Sequence, residues 1–372
     1  MEVLIAGDFL PKHRIQELID IRSYSFMDAI KPILKSADYA IVNLECPTID
    51  GLVQSIEKGG PCHKTTTSAI DAIKYAGFNC VTLANNHFRD FGDDGCCETL
   101  KALQEKKLDY VGGGMTLSDA QKVLYKQVDN KVLSIVNICE NEYSIATATR
   151  AGSAPLDAVD NYNQIIEAQR NSDYVLVVVH GGHEHYQLPS PRMKKLYRHF
   201  VSLGADAVVN HHQHCYSGYE IFNGHPIVYG LGNLCFDSVK KRNDTWYEGY
   251  MVTIDFNNNC TITLHPYLQC KDAAKITLMK DKELEAFYDK IGKLNLVISN
   301  DELLAFEFDR LADKMERSVR LVFASYHNRY LNGAASKGLL PILSGGKELR
   351  VRGNWVRCES HLDIVHHILF KE

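Results

Sequence analysis

The chain has no C-x-x-C pair, no apolar run approaching the roughly 20 residues that cross a bilayer, no excess of positive charge, no repeats and no low-complexity tract. Each absence removes a class of protein. The eleven cysteines stand singly apart from Cys96-Cys97. An odd count without knuckle spacing argues against a disulfide scaffold and for reduced, mostly buried thiols, so a cytoplasmic protein is expected. The apolar opening of residues 1–8 is shorter than a secretory leader needs, and no membrane span is expected. A formal charge of −5 over 372 residues supplies no basic face for nucleic acid. Gly112-Gly113-Gly114 lacks the lysine and hydroxyl residue of a phosphate loop and reads as a plain turn.

What is present is ordinary in bulk and unusual in arrangement. Hydrophobic residues make up 45% and charged residues 23%, enough for a large core without staples. Eight of the sixteen histidines fall between His180 and His225, the densest group after two short apolar runs, residues 175–179 and 207–209, that read as buried strands. Strands and helices alternate in the first half and strands dominate afterwards, which predicts a layered α/β sandwich over residues 1–268. Past Leu268 the pattern turns helical, giving an extension over residues 269–372. There, Ser299-Asn-Asp-Glu302 predicts a capping box. The residues Leu304, Phe308, Leu311, Met315, Val319 and Val322 form an apolar stripe that the sandwich or a second copy must cover, so a homodimer through these helices is one expectation. A loop is expected at residues 340–346 and a last helix at 362–370.

Five apolar strands end, in order, at Asp8, Glu45, Asn86-His87, His180 and His212-x-His214. Ligands collect at the carboxyl ends of strands in α/β sheets, so these distant stretches are expected to meet. Extended backbone would turn His212 and His214 to one side and His211 and Gln213 to the other. Oxygen and imidazole donors without thiolate suit a pair of divalent ions, Mn, Zn or Fe. Glu184 is expected beside the centre, as a base or a substrate contact. His63, Lys64, Arg89, His183, His185 and Arg192 are weaker candidates for contacts to an anion. Tyr186 and Tyr216 read as packing residues, and Cys215 as a bystander.

The ordered motifs Gly7-Asp8, Asn43-Leu44-Glu45, Asn85-Asn86-His87, His180-Gly-Gly-x-Glu184, His211-His212-Gln213-His214 and Tyr229-Gly-Leu-Gly232-Asn233 resemble those of the CapA-type capsule and poly-γ-glutamate synthesis proteins, a branch of the calcineurin-like dimetal phosphoesterases. The resemblance spans about residues 2–237. It implies a four-layer α/β/β/α sandwich with the helical extension outside it. It also implies two divalent ions: Asp8 and His214 on one, Asn86, His180 and His212 on the other, and Glu45 between them. His87 would act as general acid toward the leaving oxygen. The implied activity is a hydrolase of capsule or surface-polymer biosynthesis acting on a phosphoester or on an amide of an anionic polymer. The rival expectation is a non-catalytic binding or scaffold subunit of a polymer-synthesis complex. Two positions depart from the wider pattern: Leu10 stands where it has histidine, and the bridging carboxylate is glutamate rather than aspartate.

Overall fold

The computed structural model describes residues 1–323, 328–340 and 346–370. Its central strands are runs such as Val3-Leu4-Ile5-Ala6 and residues 175–179, which are buried on both faces and therefore need cover on both sides. The first sheet runs Ile276–Leu278, Thr261–Gln269, Glu248–Asp255, Glu2–Phe9, Tyr39–Leu44, Cys80–Thr82, Asp109–Val111, with Asn233–Cys235 also paired to Glu2–Phe9. The second runs Tyr219–Phe222, His225–Val228, Ala207–His211, Tyr174–His180, Lys131–Cys139, Leu124–Val128. Its four inner strands are parallel, so His180 and His211 sit side by side at their carboxyl ends.

Alternation along each strand assigns the layers. Val3, Ile5 and Ile41 meet Ile135, Leu176, Val178 and Val209 between the sheets. Leu4, Ala6 and Val42 face outward onto the helices Arg14–Asp20, Ser68–Ala76 and Gly92–Glu105. Val177, Val179 and Val208 face the helices Ala158–Asn171 and Pro191–Ser202. The result is an α/β/β/α layered sandwich. A slip of one residue in any central strand would exchange its two faces, so the pattern fixes the register. Two hairpins, Leu124–Val128 with Lys131–Cys139 and Tyr219–Phe222 with His225–Val228, turn through Asp129 (φ 52°) and Asn223-Gly224 (φ 51° and 86°) in the left-handed conformation such turns require.

The C-terminal part differs in detail from the pattern read in the sequence. Thr261–Gln269 runs through the boundary expected after Leu268, Ile276–Leu278 adds an edge strand, and the helix Asp281–Ser299 buries Phe287 and Ile291 in the inter-sheet core. The next helix, Asp301–Phe323, is capped by Asn300, whose Oδ1 accepts from the Leu303 amide at 3.0 Å. Ser299 instead donates to the Leu296 carbonyl at 2.9 Å as part of the preceding helix. Leu304 packs against the helices of the second sheet, and Phe308 and Ala312 meet Ile364 and Val365 of Glu359–Phe370. The stripe is thus covered within the chain as far as Met315. The side chains of Val319 and Val322, and most of the loop expected at residues 340–346, lie outside the described residues. Among the described residues no helix is long and apolar enough to cross a membrane.

Candidate metal centre

Two backbones must come very close to build the centre. A Cβ on Gly7 would lie 1.9 Å from the Gly232 carbonyl oxygen, so only glycine lets Glu2–Phe9 and the Gly232-Asn233 segment run together here. The register shifts between Ala6 and Asp8, and Asp8 ends fully buried. Asn43 Nδ2 donates to Asp8 Oδ1 at 2.8 Å, and the His212 amide donates to Oδ2 at 3.1 Å. Burial alone would raise the Asp8 pKa, but the nearby His211 and His214 and the bond from Asn43 outweigh it and hold the group below its usual range, ionised.

Glu45 is the opposite case. It is fully buried, and both its carboxylate oxygens lack any hydrogen-bond partner among the described residues. Burial and then the Asp8 charge push its pKa well up. Leaving one buried polar group unsatisfied costs about 1–3 kcal/mol, and a bare charge costs more. What surrounds it explains why such a group is kept: His180 Nε2 lies 3.6 Å from Glu45 Oε1 and His214 Nε2 lies 3.9 Å from it. His180 Nε2 is also 3.0 Å from Asn86 Oδ1 and 2.9 Å from His212 Nδ1. Its other nitrogen, Nδ1, is 2.8 Å from His211 Nδ1. A proton there leaves Nε2 as a lone pair facing other lone pairs, and burial followed by the neighbouring His212 and His211 pushes the His180 pKa far down, to the neutral imidazole that binds metals. The donor spacings of 2.9–3.6 Å around this nitrogen are those of atoms sharing one ion at bonds of roughly 2.0–2.2 Å.

The residues present therefore fit divalent metal binding. Glu45, His180 and His212 form one group of converging donors, and Asp8, Glu45 and His214 form another, all within 4.8 Å of one another in each group, with Glu45 common to both. A third group adds a residue that the extended-strand expectation turned away: His211, whose Nδ1 is 3.2 Å from Asp8 Oδ1. The backbone is not extended beyond it. His212 has φ 116° and His214 has φ 56°, a conformation that costs a non-glycine residue of order 1–3 kcal/mol and is retained where function demands it. That twist brings His211, His212 and His214 all to the centre. Gln213 bonds the Tyr229 carbonyl and Asn210 instead. Leu10, the departure from the wider pattern noted in the sequence, is fully buried in the core.

His87 stands beside this centre with its own support. Its Nδ1 is 2.7 Å from Asp90 Oδ2, closer than the Lys58 ammonium at 3.2 Å, which assigns a proton on Nδ1 donated to the carboxylate and leaves Nε2 a free lone pair. Asp90 is fully buried, pairs with Lys58 and accepts the His63 amide at 2.6 Å. Burial, then the Lys58 charge, pushes the His87 pKa well down. Asp90, Lys58, Asn43 and Asn233, whose Oδ1 lies 2.9 Å from His214 Nδ1, were not singled out as site residues; only the three-residue spacing of His87 and Asp90 hinted at a pair.

A cleft of about 680 Å³ opens onto the centre, and His63, His87, Glu184, His185 and His214 lie on its wall. Glu184 is exposed there and meets no hydrogen-bond partner among the described residues. The remaining anion-contact candidates turn elsewhere, each because a nearer partner holds it. Lys64 donates to the Gly51 carbonyl at 3.2 Å, and Arg89 pairs with Asp93 at 2.8 Å. His183 donates from Nε2 to the Ser360 carbonyl at 2.8 Å, and Arg192 pairs with Glu140 and Asp363. Tyr216 and Cys215 are buried and Tyr186 packs against His183.

Comparison with known proteins relates the chain to capsule synthesis proteins. A family model described as "Bacterial capsule synthesis protein PGA_cap" matches residues 2–238. The capsule biosynthesis protein CapA of Bacillus anthracis is 30% identical over 246 residues, covering 64% of this chain and 60% of that protein. The PGA biosynthesis protein CapA of Bacillus subtilis (strain 168) is 30% identical over 237 residues, covering 62% of each. The chain thus spans about three fifths of the length of these relatives. A crystal structure of a 5′-nucleotidase from Candida albicans SC5314 superposes with a TM-score of 0.41 and 11% identity over 85% of this chain and 58% of that one, too loosely to bear on activity.

Proposed function

The chain belongs to the bacterial capsule synthesis protein PGA_cap family, and on that premise we propose that it is a dimetal-dependent hydrolase of the phosphoesterase type, acting on an anionic polymer or phosphoester in capsule or surface-polymer biosynthesis. The observation that carries the reading is Glu45: a buried carboxylate with both oxygens unpartnered, shared between two groups of converging donors. Asp8 and His214 would hold one ion and Asn86, His180 and His212 the other, with Glu45 between and His211 beside Asp8. When bound, such a pair supplies positive charge against a developing oxyanion. The chain's own groups do the rest. Asp90 fixes the His87 ring so that Nε2 can take or return a proton at the reacting oxygen. Glu184 faces the same cleft, and Lys12 and Lys58 on its wall favour an anionic ligand. The eleven free thiols support a reducing, cytoplasmic location.

The rival reading, a non-catalytic binding subunit, is favoured by Leu10, which removes one donor from the Asp8 side. Metal analysis with paired variants separates the two. The enzyme is expected to hold about two ions per chain. His212→Ala should lose bound metal, whereas His87→Ala should keep it and lose about 10²–10⁴-fold in hydrolysis of phosphoester or γ-glutamyl probes. At most one ion per chain and no hydrolysis of either probe class by the wild type would support the binding subunit.

A further inference from the structure

The family match ends at residue 238, yet part of the wall of the cleft comes from the far end of the chain. Lys347, Asn354, Trp355 and His361, on the helices Gly346–Arg357 and Glu359–Phe370, line the same cleft as His87 and His214. These helices are seated on the loops that leave the catalytic strands. After Lys131–Cys139, the Asn141 amide donates to Glu359 Oε2 at 2.7 Å, Asn354 Nδ2 donates to Glu142 Oε2 at 3.1 Å, and the Tyr143 hydroxyl donates to the Arg350 carbonyl at 3.2 Å. After Tyr174–His180, His183 holds the Ser360 carbonyl. On the loop that carries Lys58, Glu57 pairs with Arg350 at 2.8 Å, and a Cβ added to Gly59 would come within 2.6 Å of Val351 Cγ2.

The chemistry of this wall is specific. Trp355 stacks on His361 with ring centroids 4.9 Å apart at 26°. Lys347 is exposed on the cleft and forms no ion pair among the described residues. Elsewhere on the cleft wall, Trp246 carries the Arg242 guanidinium 4.5 Å from its ring centre. Lys12 and Lys58 of the inner wall are already engaged by His63 and Asp90, which leaves Arg242, held over Trp246, and, on the C-terminal helices, Lys347 as cations for a ligand's outer part. A ligand that binds only through its reacting group would leave them unused.

We propose that the C-terminal helices are the substrate-selecting wall of the active site. Lys347 takes a second anionic group, and the Trp355 face takes the spacer behind it, in an oligoanionic substrate whose reacting group sits at Asp8, Glu45 and His212. This rests on the hydrolase reading above and adds to it the class of substrate: one with repeated negative charge rather than an isolated ester. It also makes residues 346–370 part of the catalytic unit.

Two non-hydrolysable probes test it on the Mn-loaded full chain: butylphosphonate and 5-phosphonopentanoate, which place the same phosphonate at the centre and differ in a distal carboxylate. Binding is read by calorimetry and by fluorescence of the chain's two tryptophans, Trp246 and Trp355, both of which line the cleft. The carboxylated probe should bind about fivefold more tightly, the size of one exposed charge pair. Lys347→Met should abolish that advantage while leaving butylphosphonate affinity and the far-ultraviolet dichroism unchanged. Trp355→Ala should weaken both probes but leave inorganic phosphate unaffected. Equal affinities in the wild type, or an advantage that survives Lys347→Met, would overturn the proposal while leaving the hydrolase reading intact. Failure of phosphate and both phosphonates to bind would overturn the two together.

Discussion

Glu45→Gln is expected to raise the stability of the metal-free protein and at the same time to abolish the stabilisation that divalent ions give the wild type. Few substitutions improve a protein by removing a charge, and the reason lies in the site. Glu45 is fully buried with neither oxygen hydrogen-bonded, and Asp8 adds a second negative charge nearby. Without a cation the ionised form is penalised, so the folded pKa stands well above the ordinary 4.5. The sign follows by linkage. Above the unfolded value the unfolded chain has released the proton that the folded one retains, so the metal-free protein loses stability as pH rises from about 4.5 toward the folded pKa. An amide has no such loss, and about 1–3 kcal/mol of improvement near neutral pH is expected. A bound ion reverses the account: at a concentration a hundredfold above its dissociation constant, it stabilises the wild type by about 2.7 kcal/mol. Denaturant unfolding with chelator and with Mn, at pH 5 and pH 8, measures all four states. A variant less stable than the metal-free wild type at pH 8, or one that keeps the full response to metal, would show that Glu45 is satisfied by something other than an ion.

Much of this centre was legible because strands advertise their own ends. The alternation Val3-Leu4-Ile5-Ala6 and the run at residues 175–179 mark strands whose carboxyl ends must hold Asp8 and His180, and parallel pairing then carries those ends to one edge. Asp8, Glu45, Asn86, His180, His212 and His214 do converge. What was hidden depends on departures from regular backbone or on partners far along the chain. His211 was expected to face away because strand geometry was carried one turn too far, past the positive φ of His212. His183 and Arg192 sit in a histidine-rich stretch and so suggested ligand contacts. Their real partners, Ser360 and Asp363, lie more than 170 residues away, and no local period announces them. The same distance hid the outer wall of the cleft. The apolar stripe from Leu304 to Met315 told that something must cover this helix, but not that the covering helix would also line the cleft beside His87 and His214.

Glu140→Ala should be the most damaging single change outside the metal centre. Glu140 is 4% exposed, and each of its oxygens is engaged: Oε1 with Arg192 Nη2 at 2.5 Å and the Ser360 hydroxyl at 2.8 Å, Oε2 with the Ser360 amide at 3.2 Å and Cys358 Sγ at 3.6 Å. Arg192 then reaches Asp363, also bonded by Ser190, so one carboxylate ties Glu359–Phe370 to the strand Lys131–Cys139 and the helix Pro191–Ser202. Burial would raise the Glu140 pKa, but the Arg192 charge and the bond from Ser360 hold it down to about 2. A depressed folded value means that this stabilisation is present above the ordinary 4.5 and is lost as pH falls toward 2, so the latch fails in acid and not in base. Removing one member of a buried pair leaves the other uncompensated, at a cost of about 3–5 kcal/mol; Arg192 is 28% exposed and keeps Asp363, so the lower end is expected. Glu140→Gln keeps an acceptor for Ser360 and should lose less. In a Trp246→Phe background Trp355 alone reports the cap, and its signal should change at lower urea than the far-ultraviolet dichroism of the sandwich. An unchanged midpoint for Glu140→Ala would mean that the helices are held by Phe308, Ile364 and Val365 rather than by this network. If the latch does fail, metal content should stay at the wild-type level while the preference for the carboxylated phosphonate disappears, because the centre is built by the strands and the outer wall by the helices that Glu140 holds in place.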